Sequence, residues 1–298
     1  MARVAIIGPG AIGGTLAGNL VRAGNHEVML AGRRAVSALK VSLPDGTEVI
    51  TGPVVAEPAQ LTEKFDWVLV ATKTYAAEAT GGWLQSICGP ETCVAIFQNG
   101  VEHRERFRPW VADEALVPVV IDCPAEHPAP DHVVQRGALK IVAADDANGQ
   151  ALRGLFAGAN EHVSLTDDFL SAAWTKLTRN SVAVLNAMTL QPNVIMHDEA
   201  MGQADLQIAQ ESIAVARAAG ATLDHGLALW VLDATLAAPR DAVNSLLADR
   251  LAGRETELEA RNGAIVRFGQ RLGVSTPLNS MGVAVVRAQM LVEQSNCD

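Results

Sequence analysis

Short apolar runs alternate with helix-period patterns through the first half of the chain, whereas the second half carries helix-period patterns alone. Arg3-Val4-Ala5-Ile6-Ile7 is a β-branched apolar run, long enough for one buried strand and too short for a helix. Leu16, Leu20 and Val21 then recur at helical spacing, and Glu27-Val28-Met29-Leu30-Ala31 reads as a second strand at the distance of a βαβ unit. Further strands are predicted at Asp66–Lys73, Cys93–Phe97 and Ala115–Ile121, with helices over about 76–87 and 149–158. Ser37 to Val49 reads as short strands about a Pro44-Asp45-Gly46 turn. His132–Gln135 and Leu139–Val142, joined at Arg136-Gly137, predict an antiparallel hairpin closing the sheet.

The texture changes near Thr166-Asp167-Asp168, where Thr or Asp can cap a helix. Beyond that point no strand is predicted. Phe169, Ala173, Leu177 and Val184 fall at helical spacing in a first segment reaching about Met188. Others cover roughly 199–219, 223–237, 241–251, 254–272 and 277–293, punctuated by Gly220, Pro239, Gly253, Gly273 and Pro277. The expected architecture is an α/β N-terminal Rossmann domain over residues 1–166 followed by an all-α C-terminal domain over 167–298, with a small substrate in a cleft between them.

The first strand runs into Gly8-Pro9-Gly10-Ala11-Ile12-Gly13, a G-x-G-x-x-G with the preceding strand and following helix that a dinucleotide site requires. The glycines serve a tight turn, close approach of backbone to pyrophosphate, and close helix–sheet packing. Free N–H groups and the dipole of the helix N-terminus then favour the anion. At the end of the second strand an NAD site usually presents Asp or Glu to the ribose 2′-hydroxyl. This chain presents Gly32-Arg33-Arg34 instead, and an arginine there suits a 2′-phosphate. The cofactor expected is NADP(H), with Arg33 as the 2′-phosphate ligand.

Composition narrows the classes. Of 298 residues, 49% are hydrophobic and 19% charged, ample for buried cores and unlike a disordered chain. The net charge of −10 argues against nucleic acid or an anionic membrane as partner. The first strand starts at once, with no leader expected, and no apolar run reaches membrane length. Cys88, Cys93, Cys123 and Cys297 have no C-x-x-C spacing and suggest reduced thiols in a cytoplasmic protein; the scattered histidines give no support to a metal site.

Arg33, Lys73 and Asn99 fall where strands deliver side chains to the cofactor edge. Lys176 and Asn180, four apart on a predicted helix, project from one face, a spacing that an ordinary surface pair shares. Thr256 to Gly263 is equally compatible with a solvated helix face.

Taken together, the chain resembles the ketopantoate reductases (2-dehydropantoate 2-reductases) over nearly its whole length. The matching residues are Gly8-Pro9-Gly10-Ala11-Ile12-Gly13, Ala71-Thr72-Lys73, Gln98-Asn99-Gly100, Trp174-Thr175-Lys176-Leu177 with Asn180, Asn244 to Asp249, Thr256-Glu257-Leu258-Glu259 and Asn262-Gly263. The resemblance implies a C-terminal domain like that of 6-phosphogluconate dehydrogenase, and NADPH-dependent reduction of 2-dehydropantoate to pantoate in pantothenate biosynthesis. It implies Lys176 as the acid that protonates the carbonyl oxygen, Asn99 and Asn180 as amides orienting the keto acid, and Ser245 as the hydroxyl for its carboxylate. Glu257 would contact the cofactor and hold the lysine, and Lys73 would be a second cation at the cofactor edge. The apolar helical half is compatible with a homodimer, a common arrangement in such proteins.

One departure bears on the substrate. Well-studied members carry a second asparagine one turn beyond the first, where this chain has Val184, and Asn186 is rotated about 200° from it on a continuous helix. Loss of an amide where the substrate is polar bears on the substrate more than on the reaction type, and leaves it open between ketopantoate and another branched 2-keto acid. Competing readings are a β-hydroxyacid dehydrogenase, which lacks support because no glycine-x-x-x-lysine arrangement surrounds the catalytic helix, and a non-catalytic NADP(H)-binding redox sensor, which would need none of Lys176, Asn180, Ser245 and Glu257.

Overall fold

The computed structural model describes residues 1–160 and 162–295, apart from the side chain of Gln294. They form two compact units, one of Met1–Gln98 with His103–Phe169, the other of Asn99–Glu102 with the residues from Leu170 onward.

The N-terminal unit is built on a parallel sheet of β1 (Arg3–Ile7), β2 (Glu27–Ala31), β3 (Val54–Val55), β4 (Trp67–Val70), β5 (Cys93–Ile96) and β6 (Leu116–Pro118). Its order is β3-β2-β1-β4-β5-β6, so the strand order reverses between β1 and β4, where open α/β sheets bind ligands at the strands' C-terminal ends. The strands are apolar on both faces because both faces are covered. Val4 and Ile6 of β1 enter one cluster with Leu16 and Leu20 of helix α1 (Ala11–Ala23); the alternating Ala5 and Ile7 enter another with Trp83, Leu84 and Ile87. Each fully buried Ile or Leu contributes roughly 1.5–3 kcal/mol, so this double burial fixes the register of β1 and the point at which its glycine loop begins.

Two smaller sheets differ from the sequence expectation. His132–Gln135 pairs antiparallel with Ala125–Ala129 and parallel with Lys40–Ser42, which itself pairs with Glu48–Ile50 about the expected Pro44-Asp45-Gly46 turn. Lys140–Ala144 belongs to a different sheet, beside Val163–Thr166 and Val120–Asp122. The expected hairpin therefore does not form. Buried Gln135 takes a hydrogen bond from Asn19 of α1 and donates one to the Gly137 carbonyl, turning the chain from one sheet to the other. The single strand expected over Ala115–Ile121 is likewise divided between two sheets, and Val163–Thr166, where no strand is expected, forms one.

After Thr166 the described residues contain no strand. The helical unit comprises α2 (Phe169–Ser181), α3 (Val184–Thr189), α4 (Glu199–Ala218), α5 (Leu227–Ala237), α6 (Ser245–Leu251), α7 (Ala264–Leu272) and α8 (Pro277–Ser295). The expected first helix through Met188 is broken at Val182-Ala183. There the buried Asn262 amide donates to the Ser181 carbonyl, satisfying a group that a helix end leaves without an intrahelical partner. The expected helix over 254–272 starts later, with a π-helical turn at Glu259–Gly263 ahead of α7. Trp174 and Leu177 anchor α2 in the core, Trp174 standing edge-on to Phe268. No helix among the described residues is long and apolar enough to cross a membrane. Cys88, Cys93 and Cys123 are free thiols, and Cys297 lies outside the described residues.

Candidate active site

In the N-terminal unit, backbone shape prepares an anion site. Gly8 has φ +88°, and the N–H of Gly8 donates to the Ala31 carbonyl at the end of β2. A Cβ on Gly13 would lie 2.2 Å from the Gly8 carbonyl oxygen, so only glycine lets α1 begin this close to the turn. A Cβ on Gly10, by contrast, would meet nothing within 4 Å, leaving space beside the loop backbone. No side chain caps the N-terminus of α1, and its first turn holds no acid. Half-buried Pro9, Ala11 and Ile12 complete the loop. These are features that a dinucleotide pyrophosphate fits.

The loop's neighbours are the residues expected at the cofactor edge. Gly32 sits so close to Pro9 that its Cβ would be 3.0 Å from the proline ring, and Arg33 follows, exposed and without hydrogen bond or ion pair among the described residues. Thr72 abuts Gly8, and half-buried Lys73 follows it. Buried Gln98, which the sequence did not single out for a role, fixes this turn: its amide donates to the Thr72 carbonyl at 2.9 Å and to Thr72 Oγ1 at 3.0 Å, while its own oxygen accepts from Arg106.

The helical unit gathers a second polar group of residues. Asn180 Nδ2 donates to Asn99 Oδ1 at 3.2 Å, and Asn99 Nδ2 donates to Glu257 Oε2 at 2.9 Å. Both amides are thereby oriented by the buried carboxylate. Lys176 lies one turn before Asn180 on α2, half-buried on the face opposite Trp174 and Leu177. Gly100 makes the approach of Asn99 feasible: its φ is +97° and a Cβ would stand 2.6 Å from the Ala260 carbonyl oxygen. Ser245 is exposed at the start of α6, whose cap Asn244 accepts from the Leu247 N–H.

Three sequence readings change here. Residues 256–263 are not a solvated face: Thr256, Glu257, Arg261 and Asn262 are all buried, and only Glu259 points out, to Arg267 and Arg287. Val184 is not one turn beyond Asn180 on the same helix. It is fully buried after the break, packed where a Cβ on Gly282 would come within 2.9 Å of it, so it is core rather than a substrate-facing substitute for an amide. Asn186 is buried as well, donating to the Gln191 carbonyl and accepting from Asn244, and so braces the start of the Ser245 helix. Arg261 was not singled out by the sequence; its Nη2 donates to Ser245 Oγ at 2.8 Å.

Two family models cover most of the chain: Ketopantoate reductase PanE/ApbA matches residues 4–148, and Ketopantoate reductase PanE/ApbA C terminal matches residues 168–290. A 2-dehydropantoate 2-reductase of Caulobacter vibrioides is 44% identical over 98% of this chain and 100% of its own length. The chain belongs to the ketopantoate reductase family. Another 2-dehydropantoate 2-reductase, from Mycobacterium tuberculosis, is 33% identical over 96% of this chain and 97% of its own. A PanE/ApbA family ketopantoate reductase of Ralstonia eutropha JMP134 superposes with a TM-score of 0.90 at 28% identity, over 98% of this chain and 99% of that one. The family is one of oxidoreductases with an N-terminal Rossmann-type domain and a helical C-terminal domain, the architecture described above.

Proposed function

We propose that this chain reduces 2-dehydropantoate to pantoate with NADPH, a step of pantothenate biosynthesis. The observation that carries the reading is the hydrogen-bonded series Asn180–Asn99–Glu257, one helical turn from Lys176, in a chain similar from end to end to 2-dehydropantoate 2-reductases. NADPH, when bound, supplies the hydride. The loop Gly8–Gly13 would hold the pyrophosphate on backbone N–H groups, Arg33 would pair with the 2′-phosphate and Lys73 would add a cation at the same edge.

Reduction of a ketone develops negative charge on its oxygen. Lys176 holds a proton for that oxygen and stabilises the alkoxide as it forms. Asn180 and Asn99 orient the keto acid, and their amides cannot flip freely because Glu257 accepts from Asn99 and Asn99 accepts from Asn180. Glu257 thus positions the amide pair and balances the lysine. Ser245 offers its hydroxyl to the substrate carboxylate.

The test is consumption of NADPH with a panel of 2-keto acids. The reading predicts kcat/KM for ketopantoate well above that for pyruvate and for other branched 2-keto acids. Turnover confined to a different keto acid would keep the chemistry and overturn the substrate; tight NADPH binding with no turnover at all would favour a sensor.

A further inference from the structure

Arg261 is an arginine in an unusual position. It sits in the π-helical turn Glu259–Gly263, and only 4% of its surface is exposed. Its one side-chain hydrogen bond among the described residues goes from Nη2 to Ser245 Oγ, and its buried Nε has no partner among them. A guanidinium carries five N–H donors in a fixed fork that matches a carboxylate, and burying one with donors unused is costly. Glu257 and Asp249 lie close enough to stabilise its charge, but Asp249 is paired at 3.0 Å with Arg254, and Glu257 accepts the Asn99 amide. Burial lowers its pKa from that of a solvated arginine, and these two carboxylates oppose the fall. The hydroxyl it reaches is the exposed Ser245, so the buried cation meets the surface of the helical unit at that residue.

We propose that Arg261 is the charged partner of Ser245 in receiving the substrate carboxylate, so that this chain recognises its 2-keto acid by a cation and hydroxyl rather than by neutral donors alone. The inference rests on the reductase reading and deepens it. Asn186 and Asn244 hold the hydroxyl in place: Asn244 donates to Asn186 Oδ1 at 2.9 Å and caps the helix that begins with Ser245. The arrangement explains why a cation is retained inside the helical unit. A purely structural arginine would be directed at Asp249 or Glu257, and its donors are not hydrogen-bonded to either.

The experiment compares a 2-keto acid with its neutral methyl ester as substrates, using ketopantoate and its ester at saturating NADPH. Wild-type protein is expected to prefer the acid. Arg261→Met should lower kcat/KM for the acid about 10- to 100-fold, chiefly through KM, and change the ester less than about threefold, the scale of losing a charge-assisted contact. Arg261→Lys, which keeps charge and loses the fork, should retain part of the preference. Acid and ester falling in parallel in Arg261→Met would make the arginine structural and overturn the subsite. If Arg261→Met does not fold, Arg261→Lys decides: a selective loss for the acid supports the subsite, and an unchanged acid-to-ester ratio overturns it. Absence of turnover of any 2-keto acid by the wild type would instead overturn the reductase reading, and the subsite with it.

Discussion

The two units keep their polar groups in opposite places. In the N-terminal unit the buried polar side chains are mostly threonines and amides, and its one buried titratable group among the described residues, His103, is pushed down to about 4 by burial and so is neutral. In the helical unit Asp205, Asp249, Arg250, Glu257 and Arg261 are all buried. A parallel sheet covered on both faces leaves no room for charge, so what that unit offers an anion is main-chain N–H groups around glycines. A helical unit leaves its side chains as the means of recognition, and places charge where the surrounding packing strengthens it. On the proposed reading this is a division of labour: backbone shape would take the cofactor's pyrophosphate, and side chains of the helical unit would select and protonate the substrate.

Arg33 makes the sharpest break in that division, because it is the one side chain on which cofactor choice is proposed to depend. Arg33→Glu should weaken NADPH binding by about 100-fold and leave NADH nearly unchanged, as measured by fluorescence titration of each. Equal weakening of both would remove the 2′-phosphate role. A smaller effect tests whether backbone matters in the helical unit too. Gly100→Ala combines a positive φ with a Cβ 2.6 Å from the Ala260 oxygen, and should cost about 2 kcal/mol in urea unfolding while displacing Asn99 from Glu257. Stability and activity both unchanged would show that the approach of Asn99 to Glu257 tolerates movement.

The smallest effect concerns the buried carboxyl of Asp205, whose pKa burial raises from 3.8 to about 6. Because the folded protein holds this proton more tightly than the unfolded chain, folding is favoured at low pH. The contribution fades as pH rises from about 4 through 6, a loss on the order of 2 kcal/mol. Between pH 5 and pH 8 the wild type should therefore lose more stability than Asp205→Asn does, by about 1–2 kcal/mol in denaturant melts. Parallel curves would place Asp205 in contact with water.

Legibility followed the same division. The glycine loop was readable because strand, turn and helix are contiguous, and each local rule agrees with the fold. Asn99, Asn180, Ser245 and Glu257 are far apart in sequence, and only the family resemblance brought them into one list before the hydrogen bonds did so for three of them. Arg261 was out of reach for a specific reason. The π turn at Glu259–Gly263 inserts an i→i+5 bond, with the Gly263 N–H donating to the Leu258 carbonyl, and shifts the helical phase that periodicity assumes. The break at Val182-Ala183 likewise voided the phase argument for Val184. The false hairpin had a different origin: Gln135 and Gly137 turn the chain between sheets through a buried amide, which resembles turn chemistry in sequence.

The most direct test of the division of labour is Lys176→Ala, read for cofactor affinity and turnover in the same preparation. The account predicts NADPH binding within about threefold of wild type and kcat for ketopantoate lowered by about 100-fold or more. Lost NADPH binding with near wild-type kcat at saturating cofactor would contradict it, because the helical unit would then be holding the cofactor rather than delivering the proton.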